Sequence, residues 1–109
     1  MTPAAFRKLA LAIPGAVEAP HFELASFRCG GKIFATLSEN DARAMVKLTP
    51  EQQEMLTAAE PGIFRRIPNK WGDKGATWMH LKNADAKTAL SALQFAVANV
   101  APKKKRAKA

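Results

Sequence analysis

Prolines and glycines cut this chain into short pieces, and that punctuation limits the fold more than any other feature. Pro14-Gly15, Gly30-Gly31, Pro61-Gly62 and Pro102 fall between apolar runs. Proline lacks the N–H that a helix interior needs, and glycine takes positive φ at no steric cost, so such pairs end elements or turn them. Each piece between the breaks is short and shows its own period. Thr2-Pro3 can cap and start a helix in which Phe6, Leu9, Ala10 and Ile13 recur at helical spacing. Ala16 to Ala25, with Pro20 and His21 inside it, reads as an irregular connection. Ser26 to Cys29 alternates polar and apolar, Gly30-Gly31 is a hairpin turn, and Lys32 to Leu37 is the partner strand. After a turn over Ser38 to Asp41, Ala42 to Leu48 makes a third strand. It sets Ala44, Val46 and Leu48 on one face and Arg43, Met45 and Lys47 on the other.

Thr49-Pro50 restarts a helix, with Gln52 where a capping-box partner sits and with Met55, Leu56 and Ala59 expected to face inward. Ile63 to Ile67 reads as a short strand and Pro68 to Gly75 as a polar loop. Ala76 to Leu81 is a strand with Ala76, Trp78 and His80 on one face and Thr77, Met79 and Leu81 on the other. Asn83-Ala84-Asp85 starts a last helix that runs through Leu90, Leu93, Phe95 and Val97 to about Val100. The order α-βββ-α-ββ-α predicts an α+β domain built on an antiparallel meander. At 109 residues and 48% hydrophobic, one domain with a real core is the expectation. Residues 1–101 form that domain, and 102–109, which lack apolar periodicity, are expected to be a disordered basic tail.

Charge divides the chain at the same place. Lys plus Arg is 17 against 9 acids, a net +8. Five of those bases are Lys103, Lys104, Lys105, Arg106 and Lys108, which leaves 12 bases against 9 acids, or +3, for the domain. A basic balance favours anionic partners. Lys103 to Arg106 would release counterions on a polyanion without reading its sequence, although a solubility tail has the same composition. Within the domain, Arg65, Arg66, Lys70 and Lys74 crowd together around Trp71, with Asp73 the acid among them. Such a loop pairs phosphate-seeking charge with a ring able to stack on a base. The plainer reading has Trp71 anchoring the loop against the sheet. Lys32, at the hairpin, could join the loop in meeting phosphates.

Other chemistries lack their parts. Cys29 is the single cysteine, so no intrachain disulfide can form, which suits a reducing compartment. A nucleophile needs a base beside it, and nothing ties His21 or His80 to Cys29. One cysteine and two histidines do not make a structural zinc site, and no phosphate-cradling glycine loop occurs. A non-enzymatic protein without metal or cofactor is expected. No apolar run approaches the ~18 residues that span a bilayer. The apolar N-terminal run is too short for a signal peptide. A cytoplasmic monomer without membrane contact follows as the expectation.

Four segments carry a family likeness: Leu11 to Glu18 (LAIPGAVE), Phe27 to Ala35 (FRCGGKIFA), Val46 to Glu51 (VKLTPE) and Trp71 to Trp78 (WGDKGATW). In order and spacing they resemble the MmcQ/YjbR family of small bacterial proteins, over roughly residues 4–100. The resemblance implies a two-layer α+β fold, YjbR/CyaY-like, with an antiparallel sheet and helices packed on one face. Family members are commonly labelled DNA-binding, and no enzymatic residues come with them. The first helix carries Arg7 and Lys8 and no acid, so it does not match the acidic iron-binding ridge of frataxins. Two functions stand ahead of a third, a small-molecule-binding or enzymatic domain, for which no convergent polar constellation is visible. One is nucleic-acid binding, mostly nonspecific and more of DNA than RNA, through Lys32, Arg65, Arg66, Lys70, Trp71, Lys74 and the tail Lys103, Lys104, Lys105 and Arg106. The alternative is a protein-interaction or chaperone-like adaptor, motivated by the fold analogy alone.

Overall fold

The structure, a computed structural model, describes residues 1–100. The basic tail expected over 102–109 therefore lies outside the described residues. Helix α1 spans Pro3–Ala12, and Thr2 caps it by accepting from the Ala5 N–H. Strands β1 (Val17–His21), β2 (Leu24–Cys29), β3 (Lys32–Ser38) and β4 (Arg43–Lys47) follow. Helix α2 (Pro50–Ala59) starts with the capping box read from the sequence. Thr49 Oγ1 accepts from the Gln52 N–H, and Gln52 Oε1 accepts from the Thr49 N–H. Strand β5 (Phe64–Arg66), the one-turn helix α3 (Lys70–Asp73), strand β6 (Ala76–His80) and helix α4 (Ala86–Val100) complete the domain. A single 3₁₀ turn, Leu81–Asn83, links the last two elements.

All six strands join one antiparallel sheet in the order β1-β2-β3-β4-β6-β5. Helices α1 and α4 pack together over one face, mainly on β3 and β4. Helix α2 covers the β5 edge on the same side, where Gln53 reaches Thr77. Phe6, Phe27, Phe34, Leu37, Val46, Phe64, Met79 and Leu93 are fully enclosed in this layer. The α+β architecture with helices against an antiparallel sheet is as the sequence implied.

Three local expectations are corrected. The connection Ala16 to Ala25 is largely strand: β1 pairs residue by residue with β2, Pro20 lying opposite Ala25. Proline hides an edge strand because it cannot donate to the ladder, yet at an edge the missing N–H can face solvent without loss. Within the loop Pro68 to Gly75, Asn69 accepts from the Gly72 N–H and caps one helical turn. In α2, Met55 and Ala59 are exposed and Leu56 half-buried, whereas Gln53 is buried. The surface beneath α2 offers carbonyls and a hydroxyl, so a polar side chain, invisible to apolar periodicity, faces in.

A β-bulge tunes the sheet. Phe27 pairs with Ala35 and Arg28 with Ile33, which leaves Phe34 as an extra residue in β3. Phe34 and Ala35 then both enter the core. The bulge reverses the alternation of β3 without removing either strand from the ladder.

Candidate nucleic-acid interface

Antiparallel partners lie on the same face of a sheet, so the register assigns each side chain to a face. One row reads Arg65, Trp78, Met45, Thr36, Ser26 and Ala19 across all six strands. It lies on the face opposite Phe64, Met79, Ala44 and Leu37; helices α1 and α4 pack on that other side, and within the row Ser26 and Thr36 are buried, Trp78 and Met45 half-buried and Arg65 exposed. The next row on this face pairs Ser38 with Arg43 and Arg43 with His80. Lys47 stands opposite Ala76, and Arg28 donates from Nε to Ser26 Oγ at 3.3 Å. The open face thus carries Arg28, Arg43, Lys47 and Arg65.

No acid shares those strand positions. Glu18 is the one acid within the six strands of the described residues, and it pairs with Phe27 on the covered side. Arg7 of α1 holds it there, with Nε 3.2 Å from both Glu18 carboxylate oxygens, and also holds Glu39 of the β3–β4 turn at 2.6 Å. The hydrogen bond to Glu39 leads in raising the Arg7 pKa above its ordinary value. Asp41 of the β3–β4 turn lies 3.7 Å from Arg43. Among the described residues no ion pair involves Arg28, Lys47 or Arg65. The Arg43 guanidinium carbon lies 4.0 Å from the Trp78 ring centroid, a cation–π contact that fixes both side chains.

A second group sits at one end of the sheet. The turn from Lys70 to Gly75 is tightly held. A Cβ on Gly72 would stand 1.5 Å from the Ile67 carbonyl oxygen, and one on Gly75, at φ +115°, 1.9 Å from that of Leu48. Gln53 Nε2 donates to the carbonyls of Gly72 and Ala76 and to Thr77 Oγ1 at 2.9–3.0 Å. This turn presents Trp71, which is 71% exposed, between exposed Lys70 and Lys74. Trp71 therefore does not anchor the loop against the sheet: the glycines and Gln53 do.

The structure distributes the sequence-predicted residues unevenly. Lys70, Trp71 and Lys74 lie together at the sheet end, and Lys32 lies at that same end, on β3, beyond the intervening β4. Arg65 and Arg66 part company. Arg65 pairs with Trp78 on the open face, while Arg66 pairs with Thr77 on the covered side and binds Asp73 at 2.5 Å. Lys103, Lys104, Lys105 and Arg106 lie outside the described residues. Arg28, Arg43, Lys47 and Trp78 were not singled out from the sequence. The signal was present in the polar side of Arg43-Met45-Lys47, which becomes a surface once helices cover only the other face. Cys29 is half-buried against the core, and its neighbour across the hairpin is Lys32. Among the described residues no group of three His, Cys, Asp or Glu side chains is placed to hold a metal, and no helix is long and apolar enough to cross a membrane.

Comparison with solved structures places this fold among known α+β domains. The crystal structure of Deinococcus radiodurans protein DR2400, a domain of unknown function class named DUF419, superposes with a TM-score of 0.74. The two share 18% identity over 91% of this chain and 78% of that one, a likeness of fold. The YjbR family model matches residues 11–96, and the chain belongs to the YjbR family. No curated protein matches the chain.

Proposed function

We propose that this protein binds nucleic acid through the open face of its sheet, with Lys103 to Arg106 adding phosphate contacts. The observation that carries the reading is the segregation of charge across the sheet: Arg28, Arg43, Lys47 and Arg65 on the open face, and the single strand acid, Glu18, on the covered one. Side chains in a solvated face that bring cations without acids suit a polyanion, and each phosphate neutralised releases counterions. Lys70 and Lys74 add charge at one end of the sheet; Lys32 stands at that end too, but opposite Cys29, on the side that packs against the core. Arg66, neutralised by Asp73, contributes less than its neighbour.

Binding of the full chain to DNA across a salt titration tests this. A variant carrying Arg28→Gln, Lys47→Gln and Arg65→Gln is compared with one in which Lys103, Lys104, Lys105 and Arg106 are replaced by Gln. Loss of about one phosphate contact per replaced cation flattens the slope of log affinity on log salt by roughly 0.7–0.9 each. A face variant with the wild-type slope sinks the reading. The adaptor alternative draws on the far end of the sheet, where Phe22 is 94% exposed beside a cleft of about 660 Å³ lined in part by Arg7, Glu18 and Glu39. A stoichiometric protein partner that survives nuclease treatment and is lost with Phe22→Ser would favour it.

A further inference from the structure

We infer that the open face takes single-stranded nucleic acid, its bases stacking on the Arg43–Trp78 pair and the strand running along β6 toward Trp71. This rests on the nucleic-acid reading and narrows it to one ligand class. The first argument is shape. The long helices α1 and α4 lie on the covered side, so among the described residues neither stands on the open face to enter a major groove. The turns at the Phe22 end are also unsuited to grooves lined by phosphate. The β1–β2 turn carries Glu23 and the β3–β4 turn carries Asp41, 3.7 Å from Arg43, whereas Glu39 of the latter turn is tied by Arg7 of α1. A duplex laid along the whole face would bring phosphates to Glu23 and Asp41, whereas a single strand can set a base, not a phosphate, on Arg43 and lead away from that end toward Lys47.

The second argument is stacking. Bases of a single strand are free to lie on flat side chains, either aromatic rings or guanidinium planes. Arg43 covers the Trp78 ring at 4.0 Å, and its side chain is still 33% exposed. A guanidinium already seated on an indole is pre-oriented, so a base stacked on its outer side costs little further ordering. Arg65 neighbours Trp78 in the same row and supplies a phosphate contact. From Trp78, two residues along β6, about 7 Å, lead to Ala76 with Lys47 opposite. The turn with Lys70, Trp71 and Lys74 follows directly. The second ring, in solvent on a turn held by Gly72, Gly75 and Gln53, thus stands at the end of a basic track that begins at the first.

Full-length single-tryptophan variants, Trp71→Phe and Trp78→Phe, locate the strand by fluorescence. Each is titrated at matched salt with oligo-dT and oligo-rU of roughly 15 nucleotides and with duplex DNA of equal length. The expected result is quenching in both variants, each binding more weakly than wild type because it lacks one of the two indoles, and, for the wild-type chain, one of the single strands bound at least about tenfold more tightly than duplex. The two single-stranded arms separate DNA from RNA. Arg43→Ala lowers single-strand affinity about tenfold, Arg43→Lys does not restore it because the plane is lost, and both unfold in urea like wild type. Duplex bound as tightly as single strand, or a Trp78 emission unmoved by oligonucleotide, overturns the inference and leaves the broader reading standing. Absence of binding by every nucleic acid at low salt removes both.

Discussion

Phe27 and Arg28 are consecutive residues of one strand and belong to opposite halves of the molecule. Phe27 sits in the covered layer, 6.0 Å from the Phe6 ring of α1, edge to face. Arg28 lies on the bare side against Ser26. The covered half is apolar, closed and responsible for stability, and its charges are tied off at the margin by Arg7 and by the Arg66–Asp73 pair. The other half carries the cations Arg28, Arg43, Lys47 and Arg65 around buried Ser26 and Thr36. The difference teaches that affinity and stability are separable here, residue by residue, along the same strand.

Substitutions should respect that division. The largest effect is expected from Phe27→Ala, which empties a fully enclosed site and costs about 4 kcal/mol in denaturant unfolding. That loss is of the order of a small domain's whole stability, so the variant tests the covered half alone. Gln53→Ala comes next. It deprives Gly72 O, Ala76 O and Thr77 Oγ1 of a shared donor and costs about 2 kcal/mol. Because Gln53 holds the turn that bears Trp71, the emission of that ring should shift as well, and an unshifted spectrum would argue that the turn holds itself.

Arg28→Gln with Lys47→Gln should change unfolding by no more than about 0.5 kcal/mol. The same pair should flatten the salt dependence of single-strand binding by roughly 1.4, or 0.7 per cation. A large stability loss from this pair would erase the distinction between the two faces. The smallest effect concerns Asp85, whose carboxylate accepts the Thr88 N–H at the start of α4. That bond holds its pKa below the ordinary value. A depressed carboxylate pKa means that the stabilisation is complete above the unfolded value, near 3.9, and is lost as pH falls below it. Asparagine supplies the capping hydrogen bond but neither titrates nor carries the negative charge that a helix N-terminus favours. Wild type should therefore exceed Asp85→Asn slightly in melting temperature at pH 7, with the gap closing below about pH 4.

Local chemistry was legible from residues alone. Thr2-Pro3, Thr49-Pro50 with Gln52, and Gly30-Gly31 act over three or four residues, so their turns and caps stand where the sequence put them. The alternation in Arg43 to Lys47 and Ala76 to His80 likewise needs only the period of a strand. Edge strand β1 was masked because proline's rule depends on whether a strand has a neighbour on both sides, which no single segment states. The inward turn of Gln53 was hidden for the same reason: its partners are main-chain groups of another segment.

Sequence by itself determined the caps, the turns, the strand periods, the excess of base over acid and the family to which the chain belongs. Tertiary structure decided which side of each strand met a helix, and so turned Arg28, Arg43, Lys47 and Arg65 from scattered cations into one surface. It also parted Arg65 from Arg66 and left Trp71 in solvent instead of against the sheet. The physical reason is that a strand's alternation defines two faces but does not say which is covered. That choice is made by helices distant in sequence, which bury the apolar side of all the strands together and leave the charged side to water.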